Sequence, residues 1–418
     1  MKKKVGLLLF IIISLKTEAQ TSVFKVADSL LRIGNYQEAI KKLETEEPKT
    51  IEIYDKIAGI YQTVGNYNKA IENYNKALLI KEVVDIKSKL GKVYRAAGLP
   101  LKAIEIYEEI IQKDSTNLMV ANSLGSLYLS KKKTKSARKI FEYLKEKDPL
   151  NPNYPYQLAV ALGRLKKPLE MGQNYLDAYI IDSLHIKSIY RLAIFYKDLK
   201  FKDSTALFIE KGLQIDSLNI NFNQLKANVL YKDKNYKEAI KHLKLLDSLN
   251  YKSVGIYEML GMSYMNLDSL DRAEGFFKKA MKIDRMNGKI NYRLATIYHA
   301  KKEYKKASMY ANMSIFMLKP DIDKQYFLLG IIYKEENKLK EAINSFKKAF
   351  ENNSRNYEAL FELAATSDAY YKDKKIAFDW YEKYLNRFDT KDKEKSSFAK
   401  KRIKYLKKDF FIEGVKVE

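Results

Sequence analysis

The chain has 418 residues with no cysteine, and its 77 Lys and Arg outnumber 52 Asp and Glu to give a formal net charge of +25. The lack of cysteine excludes a disulfide framework, a thiol nucleophile and a cysteine-linked lipid anchor. The positive balance would suit nucleic acid in a cytoplasmic protein, but the chain carries no nucleic-acid-binding motif, and Lys accompanies abundant Asn, Ile and Tyr, a mix that AT-rich coding alone produces.

At the start, Lys2, Lys3 and Lys4 precede an apolar run from Val5 to Leu15, followed by Lys16, Thr17, Glu18, Ala19 and Gln20. The run is too short for the roughly 20 residues of a membrane-spanning helix and has the length of a signal-peptide core. Thr17 and Ala19 are small enough for cleavage before Gln20, so residues 1–19 are expected to be a signal peptide, with an uncleaved anchor as the alternative. The mature chain is then expected in a bacterial periplasm, where nucleic acid is not a partner.

From residue 20 to 389 one unit repeats, clearest from Val254 to Arg285. Tyr257, Leu260, Gly261 and Tyr264 share one face of a first helix, and Ala273, Phe277 and Ala280 one face of a second. The polar stretch Asn266–Leu270 between them predicts a short turn and antiparallel helices. In chain order the small residue at the place of Gly261 is Ala27, Ala58, Gly91, Gly125, Ala159, Ala193, Ala227, Gly261, Ala295, Gly330 and Ala364. The spacing is 31, then 33, then six times 34, then 35 and 34. The second-helix alanine follows as Ala39, Ala70, Ala103, Ala137, Ala239, Ala273, Ala307 and Ala342, is replaced by Met171 and Thr205 in the fifth and sixth units, and shifts to Ala377 in the last. Asp148-Pro149 marks a helix stop, while Asp114-Ser115, Asp182-Ser183 and Asp216-Ser217 read as stops followed by N-caps. In the seventh unit Asn223 and Lys226 occupy apolar positions, which predicts a rotated or loosened first helix. Beyond 389, Lys393 to Phe410 predicts one more helix, with Ala399, Ile403, Leu406 and Phe410 on one face and lysines around the other, and 411–418 a tail.

The series Tyr257-x2-Leu260-Gly261-x2-Tyr264, then Ala273-x3-Phe277, resembles the tetratricopeptide repeat (TPR), whose pattern is W-x2-L-G-x2-Y followed by A-x3-F in a period of about 34 residues. Tyr257 stands in place of the Trp. The resemblance implies an all-α fold, a right-handed superhelical α-solenoid of about eleven TPR hairpins with a C-terminal capping helix at 390–410. Units are expected to start near 20, 51, 84, 118, 152, 186, 220, 254, 288, 323 and 357. Each repeat would touch only its neighbours, with no linker between separate domains.

Catalytic signatures are missing: no G-x-S-x-G elbow, no phosphate-binding glycine loop, and three histidines, His185, His242 and His299, that fall in different repeats without carboxylates at metal spacing. Glu108-Glu109 and Glu335-Glu336 sit in lysine-rich helices as solvated faces. The chain is expected not to be an enzyme and to need no cofactor or metal.

In TPR arrays the first helices line the concave side, and a ligand-facing position lies three residues before the small anchor. Here that position reads Phe24, Asp55, Ser88, Asn122, Tyr156, Tyr190, Gln224, Glu258, Tyr292, Phe327 and Phe361. Its aromatic members, Tyr156, Tyr190, Tyr292, Phe327 and Phe361, offer stacking area for a partner, or else pack on the neighbouring helix. Lys187-x-x-Tyr190-Arg191 and Lys289-x-x-Tyr292-Arg293 overlap that row. They resemble the basic half of the carboxylate clamp of some chaperone-associated TPR proteins. The rest of the clamp is absent, with Gln224, Asn228 and Met259 before Lys289 and Asn122, Ser126 and Gln157 before Lys187. The expected partner is a protein or peptide, of acidic character where it meets these cations. The leading reading is an interaction scaffold of the bacterial envelope; the alternative is a structural protein whose basic outer face holds anionic glycan or membrane.

Overall fold

A computed structural model describes residues 23–318 and 322–412. The expected signal peptide and residues 413–418 of the expected tail lie outside them. Among the described residues every regular element is a helix. By its contacts the chain divides into two compact units, one up to Lys211 and one from Gly212.

The first unit holds α1 (23–32), α2 (Tyr36–Glu44), α3 (Ile51–Thr63), α4 (Tyr67–Ile80), α5 (Val84–Ala96), α6 (Pro100–Lys113), α7 (Leu118–Ser130), α8 (Thr134–Lys147), α9 (Asn153–Arg164), α10 (Pro168–Ile181) and α11 (Ile186–Asp198). The division falls inside α12 (Lys202–Ile215). The second unit continues with α13 (Ile220–Lys232), α14 (Tyr236–Ser248), α15 (Val254–Met265), α16 (Leu270–Ile283), α17 (Gly288–Ala300), α18 (Tyr304–Met317), α19 (Asp323–Glu335), α20 (Leu339–Asn352), α21 (Tyr357–Tyr370), α22 (Lys374–Phe388) and α23 (Lys393–Ile412). Odd-numbered helices up to α21 are the first arms of hairpins and even-numbered ones the second arms.

The hairpin turns share one backbone solution. Gly34, Gly65, Gly98, Lys132, Lys166, Lys200, Lys234, Asp268, Lys302 and Asn337 all take positive φ. Each donates its amide three residues back, and the next residue donates five residues back, as in Lys166 to Gly163 and Lys167 to Leu162. This doubly bonded stop satisfies carbonyls that the helix end would orphan. The first three turns use glycine, for which positive φ carries no steric penalty. The lysines accept that strain.

Between hairpins, the chain corrects the expected Asp-Ser caps. Asp114, Asp182 and Asp216 end their helices, and their carboxylates accept the amide two residues on: Thr116 at 2.9 Å, Leu184 at 2.9 Å and Leu218 at 3.1 Å. The next helix is capped by the third residue after the aspartate. Asn117 accepts from Val120 at 3.1 Å and Asn219 from Phe222 at 3.3 Å, while His185 occupies the cap position in between. A cap must directly precede the first turn to reach its free amides, and the serines lie two residues too early.

Every small anchor of the first arms is buried, as is every second-arm alanine. Over each glycine anchor lies a ring of the second arm. A Cβ added at Gly91 would lie 2.4 Å from the Tyr107 ring, at Gly125 2.8 Å from Phe141, at Gly261 2.7 Å from Phe277 and at Gly330 2.5 Å from Phe346. Where the facing residue is Leu43, Ile209, Leu243 or Ala311, the anchor is alanine, but alanine also stands at Ala58 and Ala159, whose facing residues are Tyr74 and Tyr175, so a ring on the second arm does not by itself require glycine. The seventh hairpin is not loosened. Asn223 is 1 % exposed, yet its amide donates to the Ser217 and Asn219 carbonyls at 2.9 Å each, and its oxygen pairs with His242 Nδ1 at 2.8 Å. A buried polar group with its bonds made is tolerated in a core, so α13 keeps its register.

Neighbouring hairpins are also tied by charge, with Lys89 bonded to Asp55 at 2.8 Å, Lys145 to Asp177 at 2.6 Å and Lys279 to Asp247 at 3.2 Å. At the C-terminal end α23 buries Ala399, Leu406 and Phe410, with Ile403 partly buried, and Arg402 grips Asp368 of α21 through two bonds of 2.5 and 2.9 Å. Its helix takes in Phe411 and Ile412 from the expected tail.

Candidate functional site

The five aromatic candidates all lie on first arms and all are half-buried, not exposed. In the first unit the Tyr156 ring of α9 lies 5.6 Å from Tyr175 of its own second arm and 5.5 Å from His185. The Arg191 guanidinium of α11 donates to the Tyr156 hydroxyl, which ties the two neighbouring first arms together. Tyr190 is half-buried beside it, while Lys187 and Arg191 are exposed. Burial pulls the pKa of His185 below its ordinary value, against the opposing pull of Asp182.

In the second unit Tyr292 of α17 is half-buried, and the Arg293 guanidinium lies 6.0 Å from its ring centre. Burial raises the Tyr292 phenol, with Arg293 opposing. Lys289 is exposed. Phe327 of α19 lies 5.8 Å from Phe346, the ring that covers Gly330. Phe361 of α21 is the most enclosed in rings, 5.5 Å from Tyr384 and 5.8 Å from Phe398 of α23, with Lys395 at 5.9 Å. Part of each candidate ring therefore belongs to the packing. Phe398, 52 % exposed on α23, is an aromatic that the repeat pattern could not place, because α23 lies outside the period.

Neither Lys187, Arg191, Lys289 nor Arg293 pairs with a carboxylate among the described residues, so these cations remain available to an acidic group. The acidic pairs, by contrast, are committed to neighbours. Glu108 accepts from the Tyr128 hydroxyl at 2.6 Å, Glu109 pairs with Lys87 at 2.8 Å, and Glu335 lies 2.8 Å from His299. His185 lies 2.7 Å from the Ser188 hydroxyl. Among the described residues no three His, Asp or Glu side chains converge as metal ligands.

One cavity of about 460 Å³ opens where α5 and α7 reach their hairpin turns. Arg95 and Lys131 flank it, Ser126 and Ser130 supply hydroxyls, and Leu127, Pro100 and Gly98 give it an apolar lining. Of these only Ser126 was named from the sequence, at a place where the clamp pattern is missing, and none was expected to form a site. The signal was a cation at or just past the C-terminal end of each of two consecutive first arms.

Segments 51–83, 254–286 and 326–356 match the tetratricopeptide repeat family. A stretch of 75 residues is 39% identical to sperm-associated antigen 1 of Rattus norvegicus, spanning 18% of this chain and 8% of that protein. Among solved structures, yeast Tom70 matches at 16% identity with a TM-score of 0.38, covering 94% of this chain and 96% of Tom70. Pseudomonas aeruginosa pilF matches at 17% identity with a TM-score of 0.42, covering 54% of this chain and all of that one. Three segments carry the repeat outright, and the same hairpin, anchor and turn recur between them. The chain thus carries tetratricopeptide repeats in those three segments, within an all-α run of helical hairpins.

Proposed function

We propose that the mature chain is an exported scaffold of the bacterial envelope that holds a polypeptide against its first helical arms, with Tyr156, Tyr190, Tyr292, Phe327 and Phe361 as partial stacking surfaces and Lys187, Arg191, Lys289 and Arg293 meeting acidic groups of the ligand. The observation that carries the reading is the combination on equivalent arms of half-buried tyrosines and cations without carboxylate partners. Half-buried rings keep a face for a partner at little cost in ordering, and guanidinium groups that meet no carboxylate of the chain can form forked bonds with those of a ligand. The export half rests on the sequence of residues 1–19.

The test is cross-linking in the envelope with tagged chain, compared with a variant carrying Lys187→Ser, Arg191→Ser, Lys289→Ser and Arg293→Ser. Phe327 stays, because its ring packs on Phe346. A protein partner lost by the equally helical variant supports the scaffold reading. Partners that are unchanged, and released together by salt, would favour the alternative of an anionic glycan or membrane surface held by the basic exterior, for which the exposed turn lysines and Lys400, Lys401, Lys404, Lys407 and Lys408 of α23 speak. Export has its own readout: amino-terminal sequencing should find a chain that begins at Gln20, and a cytoplasmic chain that retains Lys2–Lys4 would sink it.

A further inference from the structure

The cavity between α5 and α7 has a chemistry of its own. Two cations stand at its edge, and neither Arg95 nor Lys131 meets a carboxylate among the described residues. Several cations at other junctions between arms are committed: Lys87, Lys89, Lys145, Lys279 and Lys301 all pair with Asp or Glu. The Ser130 hydroxyl is bonded to the Leu127 carbonyl at 2.7 Å and so retains acceptor capacity only, whereas the Ser126 hydroxyl makes no protein hydrogen bond among the described residues. Leu127 is nearly buried, Pro100 presents a ring, and a Cβ at Gly98 would meet nothing, so the space at the turn is open.

Two unpaired cations, a free hydroxyl donor and an apolar patch in about 460 Å³ suit a short peptide segment that carries a carboxylate beside an aliphatic side chain. A bare inorganic anion would leave the apolar lining uncovered, and a wholly apolar segment would leave two charges desolvated without a partner. We propose that this cavity is a second peptide-docking site, which takes an acidic-aliphatic segment of a protein ligand: Arg95 and Lys131 hold the carboxylates, Ser126 donates a hydrogen bond, and Leu127 and Pro100 receive the aliphatic chain. Its two cations belong neither to the aromatic row nor to the Lys187 and Lys289 pairs, and none of its residues is changed in the variant that tests the function proposed above, so the two can fail separately.

The probe is the capped tripeptide Ac-Glu-Leu-Glu-NH2, titrated into the full mature chain at low salt and followed by amide chemical shifts and calorimetry, with Ac-Gln-Leu-Gln-NH2 and inorganic phosphate as controls. Expected is saturable binding, with shifts centred on residues 95–100 and 126–131. It should weaken at least tenfold in Arg95→Ser/Lys131→Ser and persist in Lys187→Ser/Arg191→Ser. Both cations are exposed, so the double variant should fold, which helicity checks. Equal binding by the double variant overturns the site, and equal binding of the glutamine peptide overturns its acidic selectivity. Full competition by phosphate at the tripeptide's own concentration would reduce it to a small-anion site and overturn the peptide assignment.

Discussion

The fifth hairpin, α9–α10, and the eighth, α15–α16, solve the same packing problem with their sizes exchanged. In the eighth, Met265 at the end of the first arm packs on the core cluster that holds small Ala273 of the second arm; in the fifth the equivalent positions are Gly163 and Met171, and a Cβ on Gly163 would lie 2.7 Å from the Met171 sulfur. What the repeat preserves is the volume shared by the two arms, not the alanine. The junctions to the next hairpin differ in kind as well. In the eighth hairpin Glu274 accepts from Tyr298 of α17 at 2.7 Å and from Lys301, just past its end, at 2.6 Å. In the fifth, the equivalent residue is Gly172, and the Phe195 ring of α11 fills the place of a side chain, 2.2 Å from where a Cβ would stand. One junction is ionic and one is aromatic, yet both hold the 34-residue period.

The sharpest way to break that contrast is Gly172→Ala. The added methyl meets a ring wedged between helices, and overpacking of this kind costs about 3 kcal/mol, read as a fall in the urea midpoint; an unchanged midpoint would show that Phe195 swings away freely. Next in size, Gly163→Met alone should cost about 2 kcal/mol, and adding Met171→Ala should restore stability to within about 1 kcal/mol, because the pair then copies Met265 and Ala273. Failure of the second change to rescue the first would refute the idea of exchanged volume.

The ionic junction is tested by pH. Burial opposes ionisation of Glu274, but hydrogen bonds from Lys278, Lys301 and Tyr298 win and hold its pKa down to about 2. A depressed carboxyl contributes stability that is present above its ordinary 4.5 and is lost as pH falls from there towards 2. Glu274→Gln is therefore expected to cost about 1–2 kcal/mol at pH 7 after allowance for solvent screening, and parent and variant melting curves should draw together below pH 4.5 and converge only as pH falls to about 2. A gap that persists at that pH would mean that packing, not charge, joins α16 to α17. The smallest effect is a gain. Lys166→Gly in the turn of the fifth hairpin removes left-handed strain at φ 58°, worth about 0.5–1 kcal/mol net. The same change should give no gain at an ordinary helical lysine such as Lys139.

The seventh hairpin shows how far sequence reading reached. Its apolar positions hold Asn223 and Lys226, and counting hydrophobic residues predicted a disturbed helix. Asn223 instead finds its partners in Ser217, Asn219 and His242, the last of them on the second arm. A polar group costs stability only when its bonds are unmade, and whether they are made is a fact of three dimensions. The candidate site shows the same division. The positions of Tyr156, Tyr190, Tyr292, Phe327 and Phe361 on first arms followed from the period. The half-burial of Tyr156, Phe327 and Phe361 did not, because it depends on Tyr175, His185, Phe346, Tyr384 and Phe398, all of them off the candidate's own arm and Phe398 outside the repeat altogether.

By itself the sequence determined the helical hairpin, its period, the buried small anchors and the terminal helix, since each follows from local spacing along one chain: 3.6 residues per turn places a face, and a recurring small residue marks where two helices must approach. Tertiary structure alone decided which side chains remain free. Glu109, Glu274 and Glu335 look as solvated in sequence as Arg95 and Lys131 do, yet Glu109 pairs with Lys87 on the other arm of its hairpin, Glu274 with Lys301 and Glu335 with His299 on the neighbouring hairpin, while these two cations meet no carboxylate among the described residues. A charge is satisfied by whatever lies within a few ångströms across the interface between arms, and the residue spacing along a single helix does not carry that distance.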